Sequence, residues 1–341
     1  MRAALFRAAG QPLSIEQIAD PRAAADQILI EVSRAGICGS DLHMSEYAAV
    51  PAGTVFGHEF AGAIAELGSA VGGDWKVGDR VTALPLQACR ECDACAAELP
   101  ALCRSALFTG TNLTLPGAYA EYVAVRASMV QRLPAGVSFE AGAMVEPLAV
   151  SHHAVELAQV ARGAAVLILG AGPIGAGVAL FARLAGARHV IVSERSAERR
   201  AIALALGATA VIDPQAHNVA EQFTALTGQR PQVVFECVGV QGLLQQALEL
   251  AGVRGRVLVA GVCFAEDRIL PLTALMKEVN VQFSQCYTDH NFDAVIRALA
   301  RGDVQPAPMH TATVGFAQLP QAFEALRSSP RGCKVLIDPK L

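Results

Sequence analysis

Four of the nine cysteines fall in one short stretch, Cys89-x2-Cys92-x2-Cys95-x7-Cys103. Four soft thiolate ligands in a single loop suit a tetrahedral zinc ion with no open position, so the role expected of this stretch is structural. Core packing seldom brings four cysteines to such spacing. The total is odd, and clustering of this kind in a chain of 341 residues reads as metal ligation rather than a disulfide framework. A zinc module that grips nucleic acid is the rival. Here, however, Arg90 and Arg104 stand against Glu91, Asp93 and Glu98, which is no surface for phosphates.

A second set is dispersed. Cys38 lies in Gly36-Ile37-Cys38-Gly39-Ser40-Asp41-Leu42-His43, Gly57-His58-Glu59 follows, and Glu146-Pro147 comes much later. Taken singly, each has an ordinary explanation: a core thiol, a satisfied histidine, a helix start. Together they offer what a catalytic zinc needs, about three N, S or O ligands and one exchangeable position, with Cys38, His58 and an acid as candidates.

The third set is Gly170-Ala171-Gly172-Pro173-Ile174-Gly175, directly after the apolar run Val166-Leu167-Ile168-Leu169. A glycine turn between a strand and a helix start lets the backbone approach a pyrophosphate at the positive end of the helix. Glu194 follows Gly175 by 19 residues, at the end of Val190-Ile191-Val192-Ser193, where a carboxylate takes ribose hydroxyls. The plain alternative is that Glu194 caps the next helix. Arg195, Arg199 and Arg200 would suit a 2′-phosphate, but a carboxylate beside it repels that group, so NAD is favoured over NADP.

These groups need a scaffold. From Ile28 to about Tyr122 short β-rich runs alternate with glycine turns, which predicts an antiparallel or barrel-like domain. After Pro147 apolar runs alternate with helical stretches, the pattern of a parallel sheet. Its strands are expected at Ala165–Leu169, His189–Ser193, Ala210–Ile212, Val233–Cys237, Val257–Ala260 and Val279–Phe283. Helices are expected at Ser196–Leu206 and Gly242–Leu250, then another near Phe292–Ala300 and a last strand at Lys334–Asp338.

Composition sets the outer bounds. With 53% hydrophobic and 17% charged residues the chain is not disordered, and a net charge of −4 argues against a general nucleic-acid binder. The charge-free run Gly163–Phe181 is long enough to raise the question of a membrane span, but it holds five glycines and Pro173, so a strand, a turn and a helix start explain it better. The apolar run near Met1 is too short for a signal peptide. A protein of the cytoplasm, with no membrane partner, is expected.

With these motifs in order, the chain resembles the zinc-dependent medium-chain dehydrogenase/reductase family, in its sorbitol dehydrogenase-like branch of alcohol/polyol dehydrogenases. Gly57-His58-Glu59-x2-Gly62-x5-Gly68-x2-Val71 matches that family's zinc signature, and Glu146-Pro147-Leu148 is similar to the sorbitol dehydrogenase branch. The resemblance spans essentially the whole chain. It implies an α/β protein: a Rossmann doubly wound parallel sheet plus a GroES-like, mainly-β catalytic domain. The divisions it implies are residues 1–147 (catalytic, with a structural-zinc lobe at about 85–105), 148–287 (Rossmann, NAD-binding) and 288–341 (return to the catalytic part).

It also implies two zinc ions per chain. One is held by the four-cysteine lobe, the other by Cys38, His58 and Glu59, with Glu146 nearby as ligand or through water. Ser40 and then His43 form the implied proton relay, and Asp41 orients His58. Glu98 departs from the pattern, standing where family members usually have glycine. No arginine near Tyr287 matches the one that holds polyols, and the loop Met44–Val55 is rather apolar, which tilts the expectation towards a smaller or less polar secondary alcohol.

The activity expected is reversible oxidation of a secondary alcohol, polyol or diol to the ketone by hydride transfer to NAD. Threonine, butanediol or sugar-alcohol oxidation are the nearest rivals, and a non-catalytic, crystallin-like dinucleotide-binding protein is the rival outside enzymology. A homodimer or homotetramer is implied, with segments such as Val279–Phe283 able to extend a sheet between subunits.

Overall fold

The computed structural model describes residues 1–328 and 332–341. Two compact units emerge. The first comprises Met1–Glu146, Thr288–Asp303 and His310–Leu341, and the second Pro147–Tyr287 and Val304–Met309.

In the first unit the long strand Gln27–Gly36 runs antiparallel to Glu59–Leu67 and to Tyr122–Arg126. The strand Glu59–Leu67 continues to Arg80–Ala83, which pairs with Val130–Arg132. On the other side the C-terminal strand Lys334–Ile337 pairs antiparallel with the end of Gln27–Gly36 and parallel with His310–Val314. The register sets Gly36 opposite both Glu59 and Leu336. Residues far apart in the chain therefore meet at one end of the central strand. Phe6, Phe56, Phe60, Tyr119, Phe316 and Phe323 fill the core beneath and are all almost fully buried.

The second unit holds six parallel strands in the order Ala210–Ile212, His189–Ser193, Ala165–Leu169, Val233–Glu236, Arg256–Val259, Asn280–Phe283. Every residue of Ala165–Leu169 and Val233–Glu236 is buried, as strands covered by helices on both faces must be. The order reverses direction at Ala165–Leu169, and in doubly wound sheets the crevice at that point, at the carboxyl ends of the strands, takes the ligand. The glycine turn leaves from that strand. Observed strands and expected ones agree within a residue or two. Among the described residues no helix is long and apolar enough to cross a membrane.

Short elements account for what periodicity did not disclose. The hairpin Arg2–Leu5 with Ser14–Gln17 and the strand His310–Val314 carry little apolar alternation, and long-range pairing holds them in place.

Candidate metal centres and dinucleotide site

The four-cysteine lobe is built around a one-turn helix, Asp93–Ala96, with Cys92 as its N-cap. Sulfur atoms of Cys89 and Cys103 lie 3.5 Å apart, those of Cys92 and Cys95 3.6 Å, and those of Cys89 and Cys95 3.9 Å. A tetrahedron with Zn–S bonds of about 2.3 Å has edges of about 3.8 Å, so the spacing fits zinc without rearrangement. The backbone N–H of Cys89 also donates to the Cys103 sulfur at 3.4 Å. The backbone N–H of Cys95 holds the Cys92 thiol down to about 6, whereas burial and then the neighbouring Cys92 push the Cys95 thiol up to about 12. Four crowded sulfurs cannot all carry charge unless a cation sits among them.

The helix ends in a tight reversal. The N–H of Leu99 donates to the Ala94 carbonyl at 2.8 Å and that of Glu98 to the Cys95 carbonyl at 3.1 Å. This pair of bonds is the Schellman arrangement, which demands a left-handed residue at the Glu98 position, usually glycine. Glu98 adopts φ 59°, so the loop keeps the glycine geometry with a glutamate in it.

At the second centre the ligand atoms of Cys38, His58 and Glu59 all lie within 4.8 Å of one another. Cys38 caps the helix Gly39–Met44, and Glu59 opens its strand directly after His58. His58 turns Nδ1 towards Asp41 Oδ1, 3.3 Å away, which leaves Nε2 for a metal. The Ser40 hydroxyl donates to the Cys38 sulfur at 3.2 Å. His43 lies one turn further along the same helix and is exposed. Residues three apart on a helix are neighbours, so Ser40 and His43 share one side of it. Glu146 is buried in the first turn of the helix Val145–Ala158 but does not join the three-ligand cluster.

Two residues that sequence reasoning missed complete this centre. Lys334 Nζ donates to both oxygens of Glu59, at 2.8 and 2.7 Å, and to the Ile37 carbonyl at 3.1 Å. Both partners are 1% exposed. Room for this pair exists because position 36 is glycine: a Cβ there would lie 2.0 Å from Glu59 Oε2. A lysine heading the otherwise apolar strand Lys334–Ile337 was the available signal. The second residue is Tyr119, whose hydroxyl donates to Asp41 Oδ2 at 2.7 Å.

The electrostatics favour a cation. Burial alone would lower the Lys334 ammonium, but Glu59 and then Cys38 outweigh it and raise it. His58 behaves alike: burial lowers it, while Asp41 and Cys38 together raise it well above the usual histidine value. Besides these two groups, the centre holds the buried carboxyl groups of Asp41 and Glu59 and the Cys38 sulfur. A carboxylate offers about four lone-pair sites, so Glu59 can serve lysine and metal together. The S, N and O donor set fits a catalytic zinc.

In the second unit Gly170 takes φ 89° and Gly172 caps the helix Pro173–Leu184, with open space where its side chain would be. Gly175 lets helix and turn touch, since a Cβ there would lie 2.0 Å from the Gly170 carbonyl oxygen. Pro173 and Ile174 form the first turn of that helix, and its N-terminus carries the partial positive charge that suits a pyrophosphate. Glu194 stands at the end of the neighbouring strand. Its Oε2 accepts from Ala171 N–H and its Oε1 from Ser196 N–H, each at 2.8 Å. The cap of the following helix is Ser196, whose hydroxyl accepts from Arg199 N–H at 3.4 Å. Arg200 is tied to Asp213 at 3.1 Å and to backbone carbonyls, Arg199 is half-buried, and Arg195 is exposed.

Comparison with known proteins agrees with this architecture. Residues 24–135 match the alcohol dehydrogenase GroES-like domain and residues 173–301 the zinc-binding dehydrogenase domain. The chain is 33% identical over 321 residues to 2-dehydro-3-deoxy-L-galactonate 5-dehydrogenase of Pseudoalteromonas atlantica, covering 92% of each. Among solved structures, a zinc-binding dehydrogenase of Sinorhizobium meliloti bound to NADP superposes with a TM-score of 0.91 at 32% identity, covering 99% of both chains. The 2R,3R-butanediol dehydrogenase of Bacillus subtilis gives 0.88 at 30% identity, again covering 99% of both. The chain belongs to the zinc-dependent medium-chain dehydrogenase/reductase family of NAD(P)-linked oxidoreductases, with a GroES-like catalytic part and a Rossmann part.

Proposed function

We propose that the protein catalyses reversible, NAD-linked oxidation of a secondary alcohol to its ketone, with Cys38, His58 and Glu59 holding a catalytic zinc and Cys89, Cys92, Cys95 and Cys103 a structural one. The observation that carries this reading is the convergence of one S, one N and one O donor beside Ser40, in a chain that also bears the dinucleotide turn. When bound, zinc supplies Lewis-acid polarisation of the substrate oxygen and the nicotinamide supplies the hydride acceptor.

The chain's own groups do the rest. Ser40 Oγ accepts the substrate's hydroxyl proton, and His43, exposed on the same helix, passes it to solvent. Asp41 holds the His58 tautomer, and Lys334 fixes Glu59. Glu146, buried in the chain's first unit, would serve the metal as a further ligand or through water.

For the cofactor, the Glu194 carboxylate is anchored to the glycine turn through Ala171 N–H, and its remaining lone pairs suit ribose hydroxyls. This supports NAD. The exposed Arg195, together with the NADP-bound neighbour, favours NADP as the second reading. As substrate we infer a small or weakly polar secondary alcohol, since the loop after Met44 carries Tyr47, Ala48, Ala49, Val50 and Pro51. A cytoplasmic setting would keep the lobe's thiols reduced for zinc.

A homodimer is also proposed. Among the described residues the strand Asn280–Phe283 has one unpaired edge, and Val281, Phe283, Leu272, Leu275 and Met276 are exposed on it and on the adjoining helix. Such an apolar edge is a ready template for a second copy.

The test is reduced-cofactor formation over short secondary alcohols, cyclic alcohols, vicinal diols, sugar polyols and threonine, with NAD and NADP side by side. Chelator-sensitive turnover with NAD on one group supports the reading. Turnover that survives complete zinc removal overturns the metal role, and a preference for NADP overturns the Glu194 argument.

A further inference from the structure

The metal centre has an outer member on a different part of the chain. Tyr119 is fully buried, and its hydroxyl lies 2.7 Å from Asp41 Oδ2 and 3.3 Å from the Gly36 carbonyl. One hydroxyl proton serves one strong bond, and the shorter contact goes to the charged acceptor. Asp41 is also fully buried, and its other oxygen, Oδ1, faces His58 Nδ1 at 3.3 Å. Among the described residues neither atom has a well-aligned hydrogen-bond partner, so this 3.3 Å approach is a charge contact. The carboxylate is therefore pinned on one side by tyrosine, with its other oxygen 3.3 Å from the imidazole nitrogen.

We propose that Tyr119 is a positioning residue of the catalytic metal site: by holding Asp41 Oδ2 it aims Oδ1 at His58 Nδ1 and keeps Nε2 directed to the metal. The inference rests on the reading of Cys38, His58 and Glu59 as zinc ligands. Without the phenol, the Asp41 side chain is free to turn about its last torsion, and His58 loses a fixed acceptor. Outer partners of a metal-bound histidine alter metal affinity by about 10–100-fold when removed, and an effect transmitted through one intermediate belongs at the lower end, about tenfold.

Tyr119→Phe removes only the hydroxyl. It keeps the ring that packs edge-on to Phe323, 6.4 Å between centroids, and lies against Gly57. The experiment is zinc competition with a chromophoric chelator on the full chain, with the four-cysteine site as internal reference. We expect the Cys38-dependent zinc to bind about tenfold more weakly in Tyr119→Phe while the lobe's zinc is unchanged. Cobalt substituted at that site should show shifted visible bands, a signature that a merely structural loss does not produce. A variant binding zinc within twofold of the wild type, with an unshifted cobalt spectrum, overturns the proposal.

The Asp41→Asn background gives the second control. If tyrosine acts through Asp41, Tyr119→Phe adds nothing there, and a further additive loss overturns it. Failure of the underlying reading looks different: the wild-type chain would then hold a single zinc that Cys38→Ser leaves in place.

Discussion

Lys334→Met is the perturbation whose size the structure sets most clearly. Lys334 and Glu59 are both 1% exposed and joined by two hydrogen bonds of 2.8 and 2.7 Å. Methionine fills much the same volume and removes the charge, so Glu59 is left as a buried carboxylate without its cation. Breaking one side of such a pair costs about 3–5 kcal/mol in the metal-free chain. With zinc bound, the dication takes over the compensation, and the cost falls to lost charge-assisted hydrogen bonds, about 1.5–3 kcal/mol. The gap is about 2 kcal/mol, so by linkage the variant binds its catalytic zinc about 30-fold more tightly than the wild type. Lysine and zinc, on this reasoning, can both sit on Glu59, but each supplies positive charge to the same carboxylate, so either one lessens what the other contributes. The assay is urea unfolding of chelator-treated and zinc-loaded protein, with metal affinity measured separately. A loss below about 1 kcal/mol in the metal-free chain, or equal losses in both forms, would refute the reasoning.

Three further outcomes follow from single positions. Glu98→Gly should stabilise the four-cysteine lobe by about 1 kcal/mol, because Glu98 occupies a left-handed φ of 59° that favours glycine, and a lowered melting temperature would contradict this. Glu140 is pushed up by burial but held below its ordinary value of 4.5 overall by its own backbone N–H and by Arg34. Its folded value is depressed, so the stability it lends is fully present above 4.5 and fades as pH falls below that. Glu140→Gln should therefore lower the urea midpoint at pH 7, by less than about 1 kcal/mol, and converge with wild type near pH 3; a gap that persists in acid would count against the ion pair. Val281→Lys, on the unpaired sheet edge, should shift the sedimentation of a homodimer to that of a monomer, and an unchanged mass would remove that edge from the interface.

What the sequence disclosed, and what it hid, divides along physical lines. The central parallel strands were legible because they are runs of largely buried apolar residues ending at a turn, as in Val166–Leu169 before Gly170. The cysteine lobe and the glycine turn were legible because their working residues are neighbours in the chain. Cys38, His58 and Glu59 were recognisable only as a set, through the resemblance their motifs carry, and the structure gathers their ligand atoms within 4.8 Å. Lys334 and Tyr119 escaped because their partners lie 275 and 78 positions away, and only the folded chain brings them to Glu59 and Asp41. The departure at Glu98 was visible as a missing glycine. Its consequence, a left-handed glutamate rather than a rebuilt loop, needed the backbone.

Zinc content measured alongside turnover tests the central claim most directly. The account predicts two zinc ions per wild-type chain and alcohol-dependent reduction of the nicotinamide. In Cys38→Ser it predicts one zinc, no turnover and intact dinucleotide binding. Two zincs and full activity in Cys38→Ser would contradict it.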